Sequence, residues 1–153
     1  MIYLADLTRT LIGYRAVAFT DGSYCNGIEV YAFSIYVDLG DELRYVLEES
    51  GRCSLFTGLK NVSGEIEAVY RACELAQKMC AAHVKVFTDY IACKELAHGN
   101  WKPRSYANLL FVDSMRKLRI PYTIEIIKGH SGNNFHNAVD RLAKAEAKRM
   151  SLT

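Results

Sequence analysis

A mixed α/β fold, a five-stranded sheet with helices on both faces, is predicted by three features of this 153-residue chain. Runs rich in Val, Ile, Tyr and Phe crowd the first third, segments with apolar residues at helical spacing separate the later runs, and acidic residues recur at element ends. The order βββαβααβα then fits three antiparallel strands extended by parallel ones.

Residues 16–20 (AVAFT) read as a short buried strand ending at Asp21, and DGSYCNG as the turn after it. Residues 28–37 and 42–49 flank LGDE and form a hairpin continuing from that strand. In 65–80, Ile66, Val69, Tyr70, Cys73 and Cys80 recur at helical spacing, with Ser63 as N-cap and Glu65 in the first turn, where negative charge is favoured. VKVFT at 84–88 is a strand ending at Asp89, and the helix before it makes a right-handed crossover that returns it beside the first strand. Helices at 91–97 and 105–118, a strand at 122–127 and a final helix over 134–150 complete the chain.

Half of the residues are apolar, enough for one compact domain with a substantial core. Nineteen Lys and Arg against seventeen Asp and Glu permit nucleic-acid binding without requiring it, so a local basic face has to supply the attraction. The five cysteines form no CxxC pair and leave one over in any full disulfide scheme, which points to free thiols in a reducing cytoplasm. MIYLADLTRTLIGYRAVAF carries Asp6 and lacks a basic start with a long apolar run, so it reads neither as a signal peptide nor as a membrane span.

The chemistry lies in four carboxylates: Asp21 in FTDGS, Glu65 in SGEIEA, Asp89 in VFTDY and Asp140 in HNAVDRLA. Asp21 and Asp89 follow strands that a crossover makes neighbours, at the carboxyl ends where open α/β sheets gather ligands. Glu65 opens the crossover helix, and Asp140 faces inward from the start of the last one. Like charges brought this close repel, and a divalent cation removes that cost. Hard oxygen donors suit Mg²⁺ or Mn²⁺ better than zinc, and two such ions would activate a water and stabilise a leaving oxygen at a phosphodiester. His130, between Gly129 and Ser131-Gly132, adds an imidazole able to carry protons near neutral pH.

Each acid has a plain reading by itself. Asp21 is a turn residue, Glu65 a favourable charge at a helix start, Asp89 a helix cap, and Asp140 a partner of Arg141 or Lys144 on a solvated face. Four such accidents in the order of one metal site, with a loop histidine, are the weaker account. His83 and His98 read as surface residues, His136 as capping or lining the last helix, and Glu67, Glu74 and Glu95 as solvated helix charges.

DGS after a strand, GE opening a helix, TD after a second parallel strand and GHSGNNFHNAVD, close to a GHxGxxxNxxxD pattern, before the last helix together resemble type 1 ribonuclease H, from about Ala16 to Met150. The resemblance implies a single RNase H-like domain over 1–153, with 1–14 as an N-terminal extension that either lengthens the sheet or packs as an arm. It implies a metal-dependent endoribonuclease hydrolysing the RNA strand of RNA·DNA hybrids with two Mg²⁺ ions, Mn²⁺ being a substitute, and leaving 5′-phosphate and 3′-hydroxyl ends. Asp21, Glu65, Asp89 and Asp140 match the family's metal-binding carboxylates and His130 its mobile-loop histidine.

Asn26 and Asn61 resemble, more weakly, the amides with which the family touches the hybrid's backbone and minor groove. Tyr90 departs from a common serine, and the span from Asp89 to His130 is too short for the family's long basic protrusion. Trp101 and Lys102, with nearby basic residues, are the expected remnant of that gripping surface. A cytoplasmic monomer without membrane attachment follows. Two rivals remain: a nucleic-acid-binding module on this fold that has lost turnover, and another nuclease of the same fold. Exonucleases of this kind usually open with a strand-borne Asp-x-Glu, whereas Gly22-Ser23 follows Asp21 here.

Overall fold

The computed structural model describes residues 10–128 and 133–152. Its elements are β1 (Arg15–Cys25), β2 (Ile28–Asp38), β3 (Leu43–Arg52), α1 (Asn61–Lys78), β4 (His83–Thr88), α2 (Ile91–Ala97), α3 (Tyr106–Arg116), β5 (Tyr122–Ile126) and α4 (Asn134–Ser151). The strands form one sheet in the order β3-β2-β1-β4-β5. β1 to β3 pair antiparallel, and β4 joins β1 and β5 in parallel. This is the mixed five-stranded sheet the strand runs predict.

Alternation along β1 divides the core in two. Ala16 and Ala18 face a large cluster that contains Phe33, Ile66, Val69, Phe111 and Met115, so α1, α2 and α3 cover that side. Val17 and Phe19 face a smaller cluster with Val139 and Ala143, so α4 covers the other. Both faces of the central strands are buried, and their side chains are apolar on both sides accordingly.

Three boundaries differ from the sequence reading. β1 runs through Asp21 to Cys25, with Asp21 opposite Ala32, and the turn is confined to Asn26-Gly27, both at positive φ. An Asn-Gly pair supplies the twist of a tight hairpin, so DGSYC is free to continue the ladder. α1 starts at Asn61, not near Glu65, after Lys60 at φ 60°, ψ −129°. Ser63 is therefore inside the helix, and its hydroxyl accepts the Leu59 N–H at 2.8 Å instead of capping the first turn. β3 runs on to Arg52, three residues past its predicted end, and the remaining element ends agree to within two residues.

The segment before β1 neither lengthens the sheet as a full strand nor hangs free from Leu11 onward. Leu11 is buried and donates its N–H to Met79, and Ile12 makes an isolated bridge to Ala81. All five cysteines are free thiols. Among the described residues, no helix is long and apolar enough to cross a membrane.

Candidate active site

Parallel pairing between β1 and β4 ends at Phe19 and Phe87, so Asp21 projects past the end of that ladder. It continues the Val17–Phe19 row toward α4. Asp89 follows β4 directly. Phe135, at the start of α4, stacks on Phe19 with centroids 5.1 Å apart and meets the Tyr36 ring edge-on at 4.9 Å. Asn133 caps the helix by accepting the His136 N–H at 2.8 Å. Aromatic packing and cap together fix the first turns of α4, which carry His136 and Asp140, above β1.

Glu65 arrives by a closer approach. A Cβ on Gly64 would lie 2.0 Å from the Val30 carbonyl oxygen, and one on Gly22 would lie 2.4 Å from the Glu65 amide nitrogen. Helix and strands thus meet backbone to backbone, a contact that only glycine allows at these two positions. The loop entering α1 is held by carboxylates from either side. Glu67 accepts the N–H groups of Ser54, Leu55 and Phe56 at 2.9–3.2 Å, while Glu29 accepts those of Gly58 and Lys60.

The outcome is an open cleft of about 470 Å³ lined by Asp21, Glu65, Asp89 and Asp140, with Gly22, Ser23, Tyr24, Lys60, Asn61 and Lys144. All four carboxylates singled out from the sequence meet here. Burial pushes the Asp21 carboxyl up to about 6; a hydrogen bond with Glu65 opposes the rise, and the Asp140 carboxyl and the Asp89 charge reinforce it. Glu65 is raised well above the usual carboxylate range, chiefly by burial and then by Asp21. Its Oε2 is buried without a hydrogen-bond partner among the described residues. Asp140 pairs with Lys144 at 3.0 Å, as its plain reading suggests, yet also reaches Asp21.

Clustered hard oxygens, those of Asp21 and Glu65 buried and protonated more readily than an ordinary carboxyl, and one acceptor without a partner among the described residues are what a divalent cation fits. It replaces the shared proton and satisfies the open lone pairs. The residues of this cleft therefore suit the Mg²⁺ or Mn²⁺ expected from their chemistry.

The other expected site residues divide between the cleft and its surroundings. Asn61, the first residue of α1, lies on the cleft wall. Asn26 is at the exposed tip of the β1–β2 hairpin and is not among the cleft residues. Trp101 and Lys102 line a neighbouring groove of about 550 Å³ with Tyr90, Asn100, Arg104 and Asn108. Trp101 is 47 % exposed. His130 lies outside the described residues.

Two readings need correction. Glu67 is not a solvated helix charge: it is fully buried, ion-paired to Arg71 at 2.8 Å, and satisfied by the loop amides. The stretch 63–69 is buried throughout because the sheet covers one side of α1 and this loop another. His136 does more than line its helix. It is 3 % exposed, and its Nε2 lies 3.8 Å from Asp89 Oδ2. It stands where the GHxGxxxNxxxD pattern has asparagine, four residues before Asp140, a spacing that puts both on one helix face. That spacing was the available signal.

The fold is RNase H-like. The N-terminal RNase H domain of rv2228c from Mycobacterium tuberculosis, solved as a maltose-binding-protein fusion, superposes with a TM-score of 0.75 at 18% identity, over 92% of this chain and 98% of that one. RNase H1 from the halophilic archaeon Halobacterium salinarum matches with a TM-score of 0.69 at 19% identity, over 89% and 98% of the two chains. LC11-RNase H1, solved in complex with an RNA/DNA hybrid, gives 0.70 at 18% identity over 90% and 99%. No protein-family model matches the sequence, and no curated protein does.

Proposed function

We propose that the protein is a metal-dependent endoribonuclease that hydrolyses the RNA strand of RNA·DNA hybrids. The carrying observation is the convergence of Asp21, Glu65, Asp89 and Asp140 on one cleft, buried enough to raise Asp21 to about 6. The likeness in fold to ribonucleases H, one of them bound to a hybrid, supports the same reading.

The four carboxylates would hold two Mg²⁺ or Mn²⁺ ions, whose chemistry when bound is to lower the pKa of a water and to stabilise the leaving oxygen of the phosphodiester. The chain's own residues do the rest. Lys60 and Lys144 line the cleft and attract the phosphate backbone. Asn61 presents an amide to 2′-hydroxyls and base edges in the shallow minor groove. Trp101, Lys102 and Arg104, in the adjoining groove, extend the grip along the duplex. His130 is assigned proton movement, on the resemblance alone.

The test is cleavage of a hybrid carrying a labelled RNA strand, with Mg²⁺ and with Mn²⁺, and of a closed circular hybrid that offers no end. Asp21→Asn and Asp89→Asn should each lower the rate by at least about a hundredfold, the scale on which loss of transition-state charge stabilisation is felt. Full activity in either variant removes the mechanism. Binding without cutting in both metals turns the protein into a hybrid-binding module, and failure on the circle turns it into an exonuclease.

A further inference from the structure

We propose that Asp21, Asp89 and His136 form a mixed oxygen–nitrogen site for a first-row transition cation, with His136 Nε2 as a direct ligand that biases the cleft toward Mn²⁺ over Mg²⁺. The inference deepens the nuclease reading and rests on it for the cleft, but not for the histidine. One ligand atom from each of the three residues lies within 4.8 Å of the other two.

The imidazole is the independent observation. Its side chain is 4 % exposed, and Nε2 is buried with no hydrogen-bond partner among the described residues. A buried polar atom left unsatisfied loses its hydration without replacement, so a packed helix residue in that state needs a chemical account. A hydrogen bond to Asp89 is not that account, because 3.8 Å is too long for one. Donors sharing a cation at about 2.1 Å lie roughly 3 Å apart when adjacent and about 4 Å when opposite. The Nε2–Oδ2 separation falls in that range, and the 4.8 Å span of the whole set is a little wider than it.

The donor set decides the metal. Mg²⁺ takes oxygen ligands and holds its waters, whereas imidazole raises affinity for cations later in the first row, with Mn²⁺ at the accessible end when two donors are carboxylates. The asparagine of the family pattern supplies only an amide oxygen or nitrogen at this position. His136 is therefore a change of donor chemistry at a position already facing the cleft.

The experiment is electron spin echo envelope modulation on the protein loaded with Mn²⁺ alone, without substrate, together with calorimetric affinities for Mn²⁺ and Mg²⁺. A ¹⁴N coupling from one imidazole is expected, and it should vanish in His136→Asn. That variant should also lose Mn²⁺ affinity by more than the roughly tenfold that an outer-shell partner is worth, with Mg²⁺ affinity changed less. Mn²⁺ bound with no nitrogen coupling in the unaltered protein overturns the inference and leaves the carboxylate cleft standing. Absence of Mn²⁺ binding overturns both. Because the coupling is read without turnover, it separates this outcome from failure of hybrid cleavage, and a folding defect in the variant does not affect the wild-type spectrum.

Discussion

Asp21 concentrates the physics of the cleft in one side chain. Buried, touching Glu65 and Asp140 and facing Asp89, it holds a proton up to about 6 against an ordinary value of 3.8. A carboxyl whose folded pKa is raised binds its proton more tightly when folded. Its contribution to stability is therefore complete below the unfolded value and is lost as pH rises through the folded one. Metal-free protein should lose thermal stability between about pH 4 and pH 6, with Glu65 adding to the loss in the same direction. Asp21→Asn should flatten that decline and melt higher than the parent at pH 7 in chelator, as followed by circular dichroism across pH. A variant that melts lower under those conditions contradicts the account of repulsion.

At the scale of elements, α1 is the part whose placement is most constrained, and two of its residues constrain it differently. Gly64 sets how near the helix comes to β1 and β2. A methyl group there meets the Val30 carbonyl at 2.0 Å, so the helix must retreat and take Glu65 with it. Gly64→Ala should cost about 1–3 kcal/mol in denaturant unfolding, in the manner of an overpacked core, and should weaken Mn²⁺ binding. Glu67 sets where the helix begins. Its carboxylate ties the 54–56 backbone and the Arg71 guanidinium, which itself lies 4.5 Å over the Tyr31 ring. Glu67→Ala strands a cation and three amides and should cost about 3–5 kcal/mol by the same measurement, more than Gly64→Ala. The helix itself was legible from Ile66, Val69, Tyr70 and Cys73. Neither constraint was, because a glycine's near neighbour and a carboxylate's partners belong to chain segments that local periodicity does not report.

For the whole molecule, the four acids come from β1, α1, the end of β4 and α4, so the cleft exists only when both layers of helices are docked on the sheet. Binding there is linked to global folding. Saturating Mn²⁺ at about a hundred times its dissociation constant should add about 2.7 kcal/mol to unfolding and raise the melting temperature, and the gain should disappear in Asp21→Asn. A melting temperature indifferent to Mn²⁺ would show that no cation occupies the cleft. The amino-acid sequence by itself determined the mixed sheet, the helix that returns β4 beside β1, and the four carboxylates, because strand alternation, helical spacing and motif order are local properties. Only the tertiary structure decided that Glu67 is a buried tie and not a solvated charge, that Asn26 stands at the hairpin tip outside the cleft lining, and that His136 aims at Asp89 a nitrogen without a hydrogen-bond partner among the described residues. Those outcomes depend on distances between elements far apart along the chain, which are set when the two helical layers pack on the sheet.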